Sequence, residues 1–465
     1  MKTSRRALLR GAGAAAVAGA SAWLAGPVLS ALADAPDSKE GSKGSQDEYF
    51  VFIQAAGGWD VTLWSDPRNE KKGIVDPATT DNLDSTLLRR WREAPFTGGT
   101  SSTRTFEIVT PKGTPFRLGP ALGELQDLAD RLTIVNGLEM NTVSHPDGTI
   151  FSATGRHPVG GRAVASSVDT MIAAELGAGQ LIPTLSVGFP SYFVGDGLDR
   201  RAVPLRVGSV GAVTRLLARS EAYESTADRQ AITAVLSEEA RDLSKRCASP
   251  ELTDGLAVQY DALQKMIGGS LDAVFSVPVL QKAHPRFDYQ GKFAGQAAVS
   301  AAFAIEAMRR NLVRCVSFAS TGFDTHTNNY RSHGAALQEL FDLVAVLVRT
   351  LDAVPHPTRT GDKLSDHTHI LVVSEFCRTP QINQASGRDH YPNNSALVVS
   401  PRFRHPFAIG QTDAEQLLPA PIPGFAGGPR PIAPPDLLAT FVRAFGVDPR
   451  RHLRDGEVVE ALLST

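Results

Sequence analysis

The chain has 465 residues, of which 42% are hydrophobic and 21% are charged, and its formal net charge is -2. These values are typical of a soluble globular protein with a sizeable core, and the length allows one large domain or two ordinary ones. Because phosphate binding requires concentrated Lys and Arg, the balanced charge argues against nucleic acid as a partner.

The first 35 residues have the pattern of an export signal. Paired arginines, Arg5 and Arg6, precede an Ala/Gly-rich apolar stretch that ends in small-residue cleavage patterns. This order is typical of bacterial twin-arginine signal peptides, and the interruption at Pro27 argues against a transmembrane anchor. We therefore expect recognition by the twin-arginine translocase, cleavage after Ala35, and a periplasmic or secreted mature protein.

The remainder of the chain is interpreted as a tether followed by one domain. Residues 36–47 are polar and rich in Gly and Ser, which predicts a disordered tether. Residues 48–465 contain no internal repeat and no clear boundary between independent domains. Within them, residues 215–290 are charge-laced and helical in pattern, so we interpret them as a helical insertion. The three cysteines are odd in number and lack metal-type spacing.

Apolar runs rich in β-branched residues recur between helical patterns, which predicts α/β layers around a mostly parallel sheet. Runs that are apolar at consecutive positions, such as "ILVV", indicate strands buried on both faces. The predicted strands are Tyr49–Gln54, Leu132–Gly137, Cys315–Ser320, His369–Ser374 and Ser395–Ser400.

Two helices are well marked by their apolar spacing and end signals. Apolar residues at three- and four-residue steps from Leu337 to Leu351 predict a long helix after the polar stretch "GFDTHTNNYRSH". Near the end of the chain, "DLLATFVRAFG" predicts a helix with Asp436 as its N-cap and Gly446 as its stop.

Polar residues follow the first two predicted strands. In "AAGGWD" two glycines allow a tight turn, and Asp60 just beyond them either binds a metal ion or belongs to an ordinary turn. In "SHPDG" a helix could begin at Pro146, which is favoured in the first turn. Ser144 at its start could be a nucleophile supported by the helix dipole, or simply a cap; His145 is its neighbour.

Two further polar groups follow later strands. Asp324 and His326 offer an oxygen and a nitrogen two residues apart, a pairing that zinc accepts well. His333 is predicted on the surface or behind such ligands. Glu375 ends its strand, and Arg378 could either bind an anionic oxygen bidentately or form a salt bridge with the carboxylate.

A fifth polar group, formed by Asp389 and His390, lies in a Gly/Asn-rich loop just before the next strand. All these side chains are predicted at strand ends of one sheet, an arrangement that suits a one- or two-metal hydrolytic centre. The candidate metal ligands are Asp60, Asp324, His326, Glu375, Asp389 and His390.

The ordered set "GGWD", "SH", "DTH", "SEFCR" and "DH" behind a twin-arginine signal resembles the DUF1501 family of exported bacterial proteins. The resemblance extends over about Tyr49 to Pro449, and "FDTH", "SEFCRTP" and "DH" are its specific part. That family is in turn similar to the alkaline phosphatase and sulfatase superfamily. The resemblance therefore implies an alkaline-phosphatase-like fold, a three-layer α/β sandwich with a central, mostly parallel sheet.

The resemblance also implies roles for individual residues. Ser144, or His145 next to it, would occupy the nucleophile region, Arg378 would help to hold the anion, and a divalent ion such as zinc, manganese, calcium or magnesium would be bound. The implied ligand positions are Asp60, then Asp324 with His326, then Glu375, and finally His390. The implied activity is hydrolysis of an anionic phosphate or sulfate ester.

The sequence departs from the superfamily in two ways. Glu375-Phe376 stands where Asp-His is common, which removes one ligand, and no Cys-X-Pro-X-Arg is present, so formylglycine chemistry is not supported. The first departure favours the alternative of a non-catalytic exported protein with the same fold, acting in an envelope or surface assembly.

Overall fold

The structure is a computed structural model, and the stretches it describes are 47–68, 92–95, 104–195, 198–217 and 274–464, with six isolated helical positions between 227 and 242. The predicted signal peptide and the tether before Asp47 lie outside the described residues. So does most of the predicted helical insertion at 215–290.

An eight-stranded sheet forms the centre of the fold. Its strands are numbered in chain order, and their spatial order is β12 (Phe407–Ile409), β4 (Thr133–Glu139), β11 (Asn393–Val399), β8 (Thr368–Ser374), β1 (Tyr49–Ala55), β7 (Val313–Ser320), β5 (Ile182–Val187) and β6 (Leu205–Val207). Strand β11 pairs antiparallel with both of its neighbours. The other neighbouring pairs of this sheet are parallel.

Smaller elements surround the sheet. Three two-stranded sheets pair β2 (Glu93–Pro95) with β3 (Arg104–Phe106), β9 (Cys377–Arg378) with β10 (His390–Tyr391), and β13 (Gln411–Thr412) with β14 (Pro419–Ala420). The described α-helices are α1 (His145–Thr154), α2 (Val168–Leu176), α3 (Val210–Leu217), α4 (Val277–Ala283), α5 (Gly295–Arg309), α6 (Asn329–Leu351) and α7 (Pro434–Ala444). The described 3-10 segments are Val61–Leu63, Pro120–Arg131, Arg200–Ala202, Leu364–His367, Pro449–Arg451 and Glu460–Leu462.

Helices cover both faces of the sheet. Along β1, Val51 and Ile53 pack into the core that contains α5 and α6, whereas Phe50 and Phe52 pack into the core that contains α2 and α7. Every residue of β1 and β8 is buried, because a parallel strand between two helical layers has no face left for water. The predicted three-layer α/β sandwich with a mostly parallel central sheet is confirmed.

The five strands predicted from the sequence are confirmed as β1, β4, β7, β8 and β11, with ends within two residues of the prediction. The long helix is confirmed as α6, and its apolar stripe is buried. Among the described helices, none combines the length and the apolar character needed to cross a membrane.

The predicted start of the last helix is wrong. Helix α7 begins at Pro434 after the N-cap Ala433, so Asp436 is its third residue, and the Asp436 carboxylate accepts a hydrogen bond from the Ala433 N–H at 2.9 Å. Two prolines, Pro434 and Pro435, fix φ at helical values and need no hydrogen-bond acceptor, so they start the helix before the acidic residue.

A buried carboxylate, Glu48, anchors the amino end of β1. Glu48 is 1% exposed, and its two oxygens lie 2.9 Å from Nε2 of His369 and 3.0 Å from Nη2 of Arg402. Burial raises the pKa of Glu48, but the hydrogen bonds and charges of His369 and Arg402 lower it by more, from the usual 4.5 to about 2. The ionised carboxylate therefore stabilises the fold above pH 4.5, and this contribution is lost as the pH falls toward 2.

We expect Glu48→Gln to lower the free energy of unfolding at neutral pH by about 3 kcal/mol. The difference from the wild type should shrink between pH 4.5 and 2, because protonation removes the same interaction from the wild type. Urea denaturation at a series of pH values measures the difference in the free energy of unfolding. Glu415→Gln is the control, because Glu415 is exposed. A difference that stays constant with pH would contradict the assignment.

Candidate metal centre

The candidate residues come together at the carboxyl edge of the sheet. Strands β8, β1 and β7 are adjacent and parallel, so their carboxyl ends lie side by side. Asp324 follows β7, and Glu375 directly follows β8. His145 is the first residue of α1, and His390 begins β10. The position is the one where open α/β sheets bind ligands.

Gly57 lets the turn after β1 approach the turn after β7. Its φ of 126° lies in the region that favours glycine, and a Cβ at this position would lie 2.3 Å from the backbone nitrogen of Asp324. Any side chain at Gly57 would therefore displace the backbone of Asp324.

Thr325 is held inward by a closed ring of hydrogen bonds. The Asp60 N–H donates to Nε2 of His333 at 2.7 Å, so Nδ1 of His333 donates to Oγ1 of Thr325 at 2.8 Å. Thr325 donates to Asn329 at 2.5 Å, and Nδ2 of Asn329 donates back to the Asp60 carboxylate at 2.7 Å. Because Thr325 points inward, the residues on either side of it, Asp324 and His326, are directed to the polar centre.

His333 is a structural residue in this ring. It is fully buried, and burial lowers its pKa to about 3, so the imidazole is neutral. Of the two positions expected for His333, the surface one is wrong, and the one behind the candidate ligands is found.

Three imidazole nitrogens meet at one carboxylate oxygen. Nε2 of His145, His326 and His390 lies 3.5, 3.1 and 3.5 Å, respectively, from Oδ1 of Asp324. Nε2 of His326 also lies 3.1 Å from Nε2 of His390. In a tetrahedral zinc site with bonds of 2.0–2.1 Å, ligand atoms are about 3.4 Å apart, so these separations fit such an ion.

The opposite nitrogen of each ring faces an oxygen that can accept its hydrogen. Nδ1 of His145 lies 2.7 Å from Oε1 of Glu375, Nδ1 of His326 lies 2.8 Å from Oδ1 of Asp389, and Nδ1 of His390 lies 2.8 Å from the backbone oxygen of Val143. A neutral imidazole has one N–H, so donation from Nδ1 leaves a lone pair at Nε2.

The three lone pairs therefore point toward a carboxylate oxygen and toward one another, an arrangement that a cation between them would stabilise. Nη1 of Arg378, 3.4 Å from Nε2 of His326, supplies part of this positive charge. Nε2 of His145 is buried and makes no hydrogen bond. Metal-bound histidines characteristically donate their other N–H to a carboxylate or a backbone carbonyl, as all three do here. The donor set and its surroundings fit a metal ion, and His145, Asp324 and His390 form a group that could hold one.

Protonation is the alternative to a metal ion at this position. The hydrogen bond to Glu375 raises the pKa of His145, although burial opposes the shift. Burial lowers the pKa of His390. The two shifts have opposite directions, so a proton is favoured at His145 over His390.

Arg378 is fully buried and holds Asp324 in place. Its Nε donates to the oxygen of Gly58 at 2.8 Å, its Nη1 to the oxygen of Arg388 at 3.0 Å, and its Nη2 to Oδ1 of Asp324 at 2.6 Å and to the oxygen of Gly57. Burial raises the pKa of Asp324, but the hydrogen bond and charge of Arg378 lower it by more. The guanidinium thus positions the carboxylate, whereas the sequence suggested that it would hold a substrate anion.

Glu375 orients His145 and is occupied by other donors. Its Oε1 accepts hydrogen bonds from Nδ1 of His145 and from the Gly57 N–H, both at 2.7 Å, and its Oε2 accepts from Nε2 of Gln54 at 3.0 Å. Gly148 in the first turn of α1 makes this packing possible, since a Cβ there would lie 2.4 Å from the Glu375 carbonyl oxygen. Glu375 therefore lies behind His145, although the sequence suggested a ligand.

The Asp60 carboxylate is likewise occupied by neighbouring hydrogen-bond donors. Its carboxylate accepts from the N–H and Oγ1 of Thr62 at 3.0 and 2.6 Å, from Asn329, and lies 3.2 Å from Nε of Arg388. Asp60 is fully buried. It stabilises the turn that carries the centre and lies outside the His145, Asp324 and His390 group.

The structure thus divides the predicted residues. It brings Asp324, His326 and His390 together. Of the other three carboxylates, Asp389 lies 2.8 Å from Nδ1 of His326, Glu375 lies 2.7 Å from Nδ1 of His145, and Asp60 stabilises the adjoining turn. Ser144 is the N-cap of α1, but its hydroxyl makes no capping hydrogen bond. The ring directed into the centre belongs to His145, which the resemblance offered as an alternative to Ser144 in the nucleophile region and not as a metal ligand. Its place before a helix-starting proline at the sheet edge was the available signal.

The centre is enclosed on one side and open on the other. The buried ring of Phe376 lies 4.9 Å from the ring of His145 and 4.6 Å from that of His390, measured between centroids. The side chains of Asp324 and His326 are about half exposed. An open face is a property of catalytic rather than purely structural metal sites.

A cavity of about 440 Å³ lies next to His145, at the carboxyl ends of β1, β7 and β5. Its lining residues are Gln54, Ala56, His145, Pro146, Thr149, Ile150, Gly161, Gly188, Phe189, Pro190, Tyr192 and Ala319. His145 is thus shared by the cavity and by the polar centre.

Comparison with solved structures finds distant similarities. The chain is similar to Ps i-CgsB in complex with k-i-k-neocarrahexaose, with 11% identity, a TM-score of 0.36, and coverage of 88% of this chain and 75% of that chain. It is also similar to a Bacteroides thetaiotaomicron protein designated 4S-sulf, described with the metabolism of multiple glycosaminoglycans, with 10% identity, a TM-score of 0.31, and coverage of 86% and 73%. Among curated proteins, none matches the chain.

One protein family matches most of the chain. The family described as "Protein of unknown function (DUF1501)" matches residues 50–457, a stretch that contains all the residues of the centre. The chain therefore belongs to the DUF1501 family.

Proposed function

We propose that the protein is an exported, metal-dependent hydrolase of sulfate or phosphate esters with an alkaline-phosphatase-like fold. The observation that carries the proposal is the meeting of three Nε2 atoms at Oδ1 of Asp324, with each Nδ1 held by an oxygen. The paired arginines at the N-terminus support export.

The donor set favours some ions over others. Imidazole nitrogens with a single carboxylate oxygen suit zinc and other transition metals, whereas calcium and magnesium prefer sites built from oxygen ligands. His145, Asp324 and His390 would hold the ion, with His326 adjoining them. When bound, the ion would polarise the ester and lower the pKa of a coordinated oxygen nucleophile.

The chain's own residues would position the reactants. Ser144 is the candidate nucleophile, since it directly precedes His145 and its hydroxyl is not used to cap α1. The positive end of the α1 dipole would favour a bound anion. Glu375 would hold the proton of His145 at Nδ1. Arg378 would keep Asp324 ionised and fixed.

Metal content and ester hydrolysis, measured together, test this proposal. We expect near-stoichiometric transition metal in the purified wild type, and its loss in His145→Ala. His157→Ala, which removes an exposed histidine outside the centre, is the matched control and should keep the metal. Hydrolysis of 4-nitrophenyl sulfate or 4-nitrophenyl phosphate should follow the metal content. Wild type that stays metal-free after reconstitution would refute the proposal.

The alternative is a non-catalytic protein that binds a metal in an envelope or surface assembly. It is favoured by Phe376, which stands where the superfamily commonly has a histidine ligand. Metal bound as expected, together with no hydrolysis of either ester, would support this alternative.

A further inference from the structure

We infer that the cavity beside His145 binds the organic group of the ester, and that this group is an uncharged hydroxyl compound with an apolar face. The preferred substrates would then be monoesters of neutral alcohols or phenols rather than esters carried on polyanionic chains. The ester half of this inference rests on the proposed function, whereas the binding of the neutral group depends on the cavity alone.

The cavity lining is polar at a few points but carries little charge. Of its lining residues, His145 is the one with a basic side chain, and none is Asp, Glu, Lys or Arg. Burial raises the pKa of Tyr192, so its phenol is neutral in the physiological range. A charged group in the cavity would find no Asp, Glu, Lys or Arg side chain among the lining residues, whereas an uncharged group with an apolar face would contact side chains such as Ile150, Phe189 and Pro190.

The cavity is placed to receive the part of the molecule next to the ester. His145 contributes Nε2 to the centre, 3.5 Å from Asp324, while the residue also lines the cavity. Gln54 at the end of β1 connects the two regions in the same way, since it lines the cavity and donates to Glu375. A volume of about 440 Å³ is within the range of small-molecule sites.

Equilibrium dialysis with two uncharged hydroxyl compounds and one charged compound tests the cavity directly. The probes are 4-nitrobenzyl alcohol, methyl glucoside and 4-(hydroxymethyl)benzoate, measured with metal-free and metal-loaded protein. We expect at least one neutral probe to bind ten-fold or more tightly than the benzoate in metal-free protein. Which neutral probe binds better distinguishes an aromatic from a sugar-like group.

A matched pair of variants at Thr149 locates the site. Thr149 lies on α1 and lines the cavity. Thr149→Asp introduces a charge and should weaken binding of the neutral probe at least ten-fold, whereas Thr149→Val should change it less than three-fold. Circular dichroism and metal content of both variants show whether the fold and the centre are preserved.

The outcomes separate the two proposals. Neutral-probe binding that Thr149→Asp abolishes supports the inference, even if metal or hydrolysis is missing and the proposed function fails. Equal or tighter binding of the benzoate, or no binding of any probe to folded wild type, overturns the inference. Metal-dependent hydrolysis that prefers sulfated, carboxylate-bearing sugars over 4-nitrophenyl esters would also overturn it while leaving the proposed function intact.

Discussion

Replacement of Asp324 by alanine is expected to abolish metal binding and, with it, hydrolysis of sulfate or phosphate esters. Oδ1 of Asp324 lies within 3.5 Å of three imidazole nitrogens, so the substitution removes the one anionic group that they share. We expect metal affinity to fall by more than about 100-fold, since loss of a mere outer hydrogen-bond partner already costs 10–100-fold. Competition with a chromogenic metal chelator measures the change.

Asp389→Ala is the matched comparison. Asp389 accepts the hydrogen bond from Nδ1 of His326 but does not reach the centre itself, so its loss should weaken metal binding by about 10-fold. Asp324→Asn tests charge separately from shape, because the amide keeps an oxygen at the same place. If Asp324→Asn bound metal as tightly as the wild type while Asp389→Ala did not, the assignment of the two carboxylates would have to be exchanged.

Arg378→Met is expected to lower the free energy of unfolding by about 3–5 kcal/mol, because it leaves several buried hydrogen-bond acceptors without their donor. The guanidinium satisfies the buried carbonyl oxygens of Gly57, Gly58 and Arg388 in addition to Asp324. Each buried acceptor left without a donor costs about 1–3 kcal/mol. Urea denaturation of metal-free protein measures the loss without a contribution from metal binding.

Arg156→Met is the control for this experiment. Arg156 forms a solvent-exposed ion pair with Asp455, and such pairs contribute about 0–1 kcal/mol. Arg378→Lys should recover only part of the stability, because a single ammonium group cannot reach acceptors arranged around a planar guanidinium. A loss for Arg378→Met no greater than that for Arg156→Met would contradict the positioning role.

The layers and most of the helices and strands follow from local sequence patterns. Buried parallel strands require β-branched, apolar residues at consecutive positions, and a helix on one face of a sheet requires an apolar stripe. These patterns are local in the sequence, so they predict β1, β8 and α6. The start of α7 was missed because two prolines outweighed the acidic residue as a start signal. Most of the polar residues reach one sheet edge because they follow strands that run in the same direction. His390 reaches the same edge because β11, which comes after it, runs antiparallel to both of its neighbours.

The role of each polar residue at that edge depends on contacts between distant parts of the chain. Asp60, Asp324 and Glu375 are all carboxylates at or near strand ends, yet Asp60 and Glu375 are occupied by neighbouring donors, and Asp324 faces three imidazole nitrogens. The partners that make this difference are far away in the chain, such as His145 and Glu375, which are 230 residues apart. Composition and spacing specify which polar residues reach the edge of the sheet. The direction in which each side chain points, its burial, and which histidine nitrogen keeps a lone pair depend on contacts that form only when the sheet and its helices pack together.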